Sequence, residues 1–168
     1  MSSKKIVPAV HYSIDASQTH SHLFKVSLLI DKPQAGQVVS LPVWIPGSYL
    51  VREFAKQMMQ LQATQQGRAL AVTQTDKATW QVAADPSQAV TVHCVVHAYD
   101  NSVRTAWLDD VRGFFNATSL CLMAQDQTGR SHALELARGQ DMKGWQVATG
   151  LVPQRVDVAG FGSYLAAD

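Results

Sequence analysis

The sequence predicts an all-β domain: an antiparallel two-sheet sandwich or saddle-like fold with one short helical turn. Three observations predict it. Apolar residues recur with a period of two in most ordered stretches, the pattern of half-buried strands. Turn-forming residues punctuate those stretches at short intervals. Only residues 53–58 combine good helix formers, and they suffice for a turn or two. With 168 residues, a hydrophobic fraction of 46% and 16% charged residues, the chain suits a single domain, residues 1–168, and disorder is excluded. Two cysteines in such a length cannot staple a disulfide scaffold.

The elements follow in order. Residues 10–16 form a first alternating run. In the second, His22, Phe24, Val26, Leu28 and Ile30 share one face, with Leu23, Lys25, Ser27 and Leu29 on the other. Shorter strands are expected over 37–43, 70–75, 79–83, 118–124 and 132–137. The helical turn in 53–58 leads into a strand in which Met59, Leu61 and Ala63 alternate with Gln60, Gln62 and Thr64. The clearest strand sets Val90, Val92, Cys94, Val96 and Ala98 against Thr91, His93, Val95 and His97. Asp31-Lys32-Pro33, Gln66-Gly67-Arg68, Asp85-Pro86-Ser87, Thr128-Gly129-Arg130 and Lys143-Gly144 supply the reversals.

The balance of 14 basic and 13 acidic side chains, a net charge of +1, provides no basic face for nucleic acid. No apolar run of signal-peptide length follows the polar start, Met1 to Lys5, so a cytoplasmic location is expected. The most apolar stretch, Leu23–Ile30, is interrupted by Lys25 and Ser27, and no membrane partner is expected. The sequon Asn116-Ala117-Thr118 is then read as unused.

Catalytic chemistry is sparse. His93 and His97 are spaced as two zinc ligands on a helix, but four strand residues span about 13 Å, too far for one ion bound at about 2.1 Å. His20 and His22, about 7 Å apart if on one strand face, lack a third ligand. No Gly-x-Ser-x-Gly elbow is present, and Ser48 has no evident base. Cys94 and Cys121 sit in apolar patterns as inert thiols. Asp109 and Asp110 would point to opposite faces of a strand, and only on a loop could they form a carboxylate pair. The expectation is no catalytic residue, no metal ligand and no cofactor in this chain.

One run is distinctive: Leu41-Pro42-Val43-Trp44-Ile45-Pro46-Gly47-Ser48-Tyr49-Leu50-Val51-Arg52-Glu53-Phe54-Ala55. It reads as a strand ending at Trp44 and a type II turn with Pro46 and Gly47 at its centre, after which Tyr49 and Phe54 fold back on the sheet. Three more stretches accompany it: Asp76-Lys77-Ala78-Thr79-Trp80; Tyr99-Asp100-Asn101-Ser102-Val103-Arg104-Thr105-Ala106 with Gly113-Phe114-Phe115-Asn116-Ala117-Thr118-Ser119-Leu120; and Gly144-Trp145-Gln146-Val147-Ala148-Thr149-Gly150-Leu151. Together, in this order, they resemble the amino-terminal domain of the glycyl-aminopeptidase family of gluzincin-type zinc metallopeptidases.

The resemblance implies a larger parent. In that family a thermolysin-like domain follows the β domain, often with a PDZ domain beyond, and zinc is held by a His-Glu-x-x-His helix absent here. The parent's activity would remove small amino-terminal residues such as glycine or alanine, with peptide as substrate. The end, Gly162-Ser163-Tyr164-Leu165-Ala166-Ala167-Asp168, looks like the junction before the catalytic domain. The partner implied is the catalytic domain of the same polypeptide, and the isolated domain is expected to self-associate through an uncovered apolar patch. Candidates for the interdomain or substrate-cleft face are Trp44, Tyr49, Arg104, Trp107, Asp109, Asp110 and Asn116, with segment 101–119 toward the catalytic domain. The competing reading is a free-standing β-sandwich module that binds peptide or carbohydrate through its tryptophans.

Overall fold

A computed structural model describes residues 8–166. The polar start, Met1 to Lys5, and the last two residues of the expected junction, Ala167 and Asp168, lie outside them. The chain forms β1 (Val10–Gln18), β2 (Leu23–Ile30), β3 (Val38–Ser40), a 3-10 turn (Phe54–Gln57), β4 (Met58–Gln65), β5 (Arg68–Leu70), β6 (Val72–Asp76), β7 (Thr79–Val82) and β8 (Val90–His97). Then come β9 (Ala106–Leu108), β10 (Gly113–Phe115), α1 (Ala117–Leu120), β11 (Met123–Ala124), β12 (His132–Ala137), β13 (Val152–Val156) and β14 (Gly162–Ala166).

Eight strands make the larger sheet in the order β13-β14-β12-β1-β2-β8-β4-β5, four make a smaller sheet in the order β11-β3-β7-β6, and β9 and β10 form a separate hairpin. The expected all-β, two-sheet architecture is therefore present. Every named pairing is antiparallel except that of β1 with β12, which is parallel.

Alternation in sequence becomes a two-faced sheet. Phe24, Val26, Leu28 and Ile30 of β2 and Val90, Val92, Cys94 and Val96 of β8 are buried, and they join Val39, Trp80 and Val82 of the smaller sheet in one core. Burying side chains of this size stabilises by roughly 1.5–3 kcal/mol each. The β4–β5 reversal has φ of 47° at Gln66 and 76° at Gly67, the left-handed pair that matches the twist of a two-residue hairpin. One residue, Ala71, separates β5 in the larger sheet from β6 in the smaller one. Buried Gln65 ties a neighbouring turn: its amide donates to the Asp85 and Gln88 carbonyls, 2.9 Å each, and its oxygen accepts from the Asp85 N–H at 2.9 Å.

Four local expectations change, the first being that residues 70–75 are not one strand, since the chain passes from one sheet to the other at Ala71. No strand reaches Trp44, because β3 ends at Ser40 and residues 41–53 take irregular paths. Residues 118–124 are not one strand: Asn116 caps the helical turn α1, and only Met123 and Ala124 pair with β3. Leu120, Leu122 and Ala124 are all buried, so a helical turn running into a short strand mimics an alternating face. His20 and His22 precede β2 in a turn, His22 with a φ of 57°, rather than sharing a strand face.

Gly162 pairs with Val156 across β13 and β14. Its φ is 133°, and a Cβ there would stand 2.3 Å from the Arg155 carbonyl oxygen. Gly162→Ala is expected to destabilise the fold by more than about 2 kcal/mol, through strain and displaced backbone. Gly67→Ala, at a φ of 76° with open space around it, should cost only about 1–2 kcal/mol. Urea midpoints of the two variants check the order.

Candidate functional site

The Pro-Gly run forms a loop closed on itself. The Arg52 N–H donates to the Val43 carbonyl at 2.6 Å, and the Ser48 N–H donates to the Ile45 carbonyl at 3.1 Å. Gly47, at a φ of 79°, supplies the left-handed position of the expected turn. Ser48 is buried and fully engaged: its hydroxyl donates to the Leu50 carbonyl at 2.8 Å and accepts from Arg52 Nε at 2.8 Å and the Leu50 N–H at 3.3 Å. Trp44 Nε1 donates to the Ser48 carbonyl at 2.9 Å. Ile45 and Phe54 point into the core, whereas Val43, Trp44, Tyr49, Leu50 and Val51 are exposed. Tyr49 does not fold back on the sheet; it is fully exposed.

The second region, residues 99–119, is wired internally. The Trp107 indole donates to Asp109 Oδ2 at 2.8 Å, and the Val111 and Arg112 N–H groups donate to its Oδ1, 2.8 Å each. Donation from the Arg112 backbone, the Trp107 indole and the Val111 backbone holds the Asp109 carboxyl below its ordinary value. Asn116 Oδ1 accepts from the Thr118 hydroxyl at 2.7 Å and its N–H at 3.1 Å, capping α1. Asp110 stands at the hairpin tip, its Oδ2 3.0 Å from His20 Nδ1. Arg104 is half-buried in the preceding loop.

An aromatic cluster, invisible to the spacing of its members, anchors this hairpin. Tyr99 stacks on Trp107 with ring centroids 4.5 Å apart, and His22 lies 4.1 Å from Tyr99. His22 Nδ1 donates to the Leu108 carbonyl at 2.5 Å, and the Arg112 guanidinium sits 5.8 Å from the Trp107 ring centre. His22 and Leu108 are 86 residues apart, so only the folded sheet brings them together.

A cleft of about 150 Å³ separates the two regions. Arg52, Glu53 and Lys56 line it with His97, Asp100 and Thr105. The sequence candidates do not converge on one point. Trp44 and Tyr49 belong to the first region, while Arg104, Trp107, Asp109, Asp110 and Asn116 belong to the second. Ser48, the organiser of the first loop, was legible as part of a turn, but its role depends on three contacts that no spacing rule encodes.

The profile of the peptidase M61 N-terminal domain matches residues 11–168. The chain belongs to this family. An aminopeptidase N family protein from Idiomarina loihiensis has a similar structure, with a TM-score of 0.90 and 42% sequence identity over 95% of this chain and 27% of that one. The chain thus spans 27% of the length of that relative. No curated protein matches it. It is the N-terminal domain of a peptidase family, and no catalytic motif is evident in the chain.

Within this M61 N-terminal domain Cys94 is buried and Cys121 partly buried, poor positions for nucleophilic attack. Burial pushes the Cys94 thiol up to about 12, and burial with the nearby Cys94 thiol does the same to Cys121, also to about 12. Thiolate is the reactive species, so native protein should react with iodoacetamide at pH 8 far more slowly than urea-unfolded protein, as counted by mass. A second outcome follows from Asp109. Its folded carboxyl titrates below its unfolded value, so its contribution is complete above the unfolded pKa and is lost as pH falls through the folded one. The Trp107 indole N–H resonance should therefore shift on acidification, and Asp109→Asn should change that resonance at neutral pH and flatten its pH dependence.

Proposed function

We propose that this domain is the non-catalytic front part of a zinc-dependent aminopeptidase whose catalytic domain follows it in the same polypeptide. That catalytic domain, thermolysin-like and often trailed by a PDZ domain, holds the zinc and removes small amino-terminal residues such as glycine or alanine. The β domain packs on it and helps shape the substrate cleft, with Trp44, Tyr49, Arg104, Trp107, Asp109, Asp110 and Asn116 as the face toward it. The observation that carries this reading is the match of residues 11–168 to a peptidase N-terminal domain, together with the Idiomarina aminopeptidase N family protein of which such a domain is 27%. The arrangement of Asp109 and Asn116 gives them a defined part: both spend their side-chain oxygens on local donors, which fixes the loops that carry Trp107 and α1.

The test is enzymatic. Purified chain, supplied with zinc, is expected to release nothing from glycyl- or alanyl-p-nitroanilide, whereas the longer polypeptide cleaves both and loses activity to a chelator. Turnover that follows the 168-residue chain through purification would overturn the proposal, as would a longer polypeptide without a His-Glu-x-x-His helix.

A further inference from the structure

The surface of residues 43–51 is unusual in composition and in stiffness together. Val43, Trp44, Tyr49, Leu50 and Val51 are all half or more exposed, although monomeric proteins seldom concentrate apolar side chains in this way. The loop does not gather them inward, because its own hydrogen bonds forbid it. Ile45 and the buried Ser48 are anchored, the Val43–Arg52 backbone bond closes the base, and the Ser48 hydroxyl locks Leu50 and Arg52. The apolar side chains are thus held outward before any partner arrives, which lowers the entropy cost of association. Arg52, Glu53 and Lys56 adjoin them, giving an apolar centre with a charged margin, the usual anatomy of an interface. Segment 101–119 has a different character. Its exposed Val103, Val111 and Phe114 are interspersed with Arg104, Asp109, Asp110 and Arg112, and its polar groups are largely spent on one another.

We infer that the loop of residues 43–52, with Tyr49, Leu50 and Val51 at its outer face, is the element by which this domain seats on the peptidase portion of the same polypeptide, in an apolar depression there. The inference rests on the reading above and narrows it to one surface. The occupant is that portion because the similar Idiomarina protein is aligned over only 27% of its length, leaving a large remainder to contact such a domain. Segment 101–119 then lines the neighbouring cleft rather than forming the seat.

The double variant Tyr49→Ser/Leu50→Ser tests it in two settings. In the 168-residue chain both side chains already face water, so the urea midpoint should stay unchanged. In the longer polypeptide the same variant should shift the first unfolding transition to lower urea and separate it from the second. Val103→Ser/Val111→Ser should do neither. An unchanged profile of the longer polypeptide, or the shift appearing with the Val103/Val111 pair instead, overturns this surface while leaving the domain reading intact. A longer polypeptide that sediments as a dimer and is dispersed by Tyr49→Ser/Leu50→Ser makes a second copy the occupant and overturns the inference. A reading frame with no peptidase portion defeats the underlying reading itself.

Discussion

Eight consecutive pairs, from Leu23 with His97 to Ile30 with Val90, run through the middle of the larger sheet without a bulge. The rest of the domain takes its geometry from this ladder. A strand's side chains alternate, so a slip by one residue would turn Lys25 and Ser27 inward and Val26 and Leu28 to solvent. The ladder also continues past the strand ends. The Ala98 N–H donates to the His22 carbonyl at 2.7 Å, and the Leu108 N–H donates to the Ala98 carbonyl at 2.8 Å. Through those two bonds the register of β2 and β8 fixes where the β9–β10 hairpin lies, and with it Trp107 and Asp109.

Ser48 and Asp109 solve the same problem in different loops. Each is a short polar side chain near a reversal, and each uses its bonding capacity on backbone or side-chain groups within four residues. Such local bonding competes with regular structure and is why both segments are irregular yet defined. In the first loop it holds hydrophobic groups outward. In the second it holds an aromatic stack together and leaves charges at the surface.

The long strands were legible in the sequence because one face is buried and the other wetter, which writes a period of two into β1, β2 and β8. The 3-10 turn was legible from the helix formers of residues 53–58, and the strand after it from the alternation of Met59, Leu61 and Ala63, although a bulge between Met59 and Gln62 interrupts its pairing with β8. Strands of two or three residues, such as β9, β10 and β11, are too short to show a period, and β13 is exposed at all five positions, so nothing alternates. The turn at Pro46-Gly47 could be read because both residues constrain φ. The direction of Tyr49 could not, since an aromatic residue beside a turn is more often core, and only the Ser48 contacts reverse that. The pairing of His20 with Asp110 and of His22 with Leu108 depends on the distant hairpin folding over the start of β2.

The parallel pairing of β1 with β12 has a consequence for how the domain comes into being. Contacts at its start join residues 122 positions apart, as between Ala9 and Ser131. A nascent chain leaving the ribosome can pair β1 with β2 at once, but the other edge of β1 stays open until most of the domain has been translated. Open edges of this kind recruit foreign strands. During synthesis, then, this edge of β1 waits longer for its partner than any other strand edge among the described pairings.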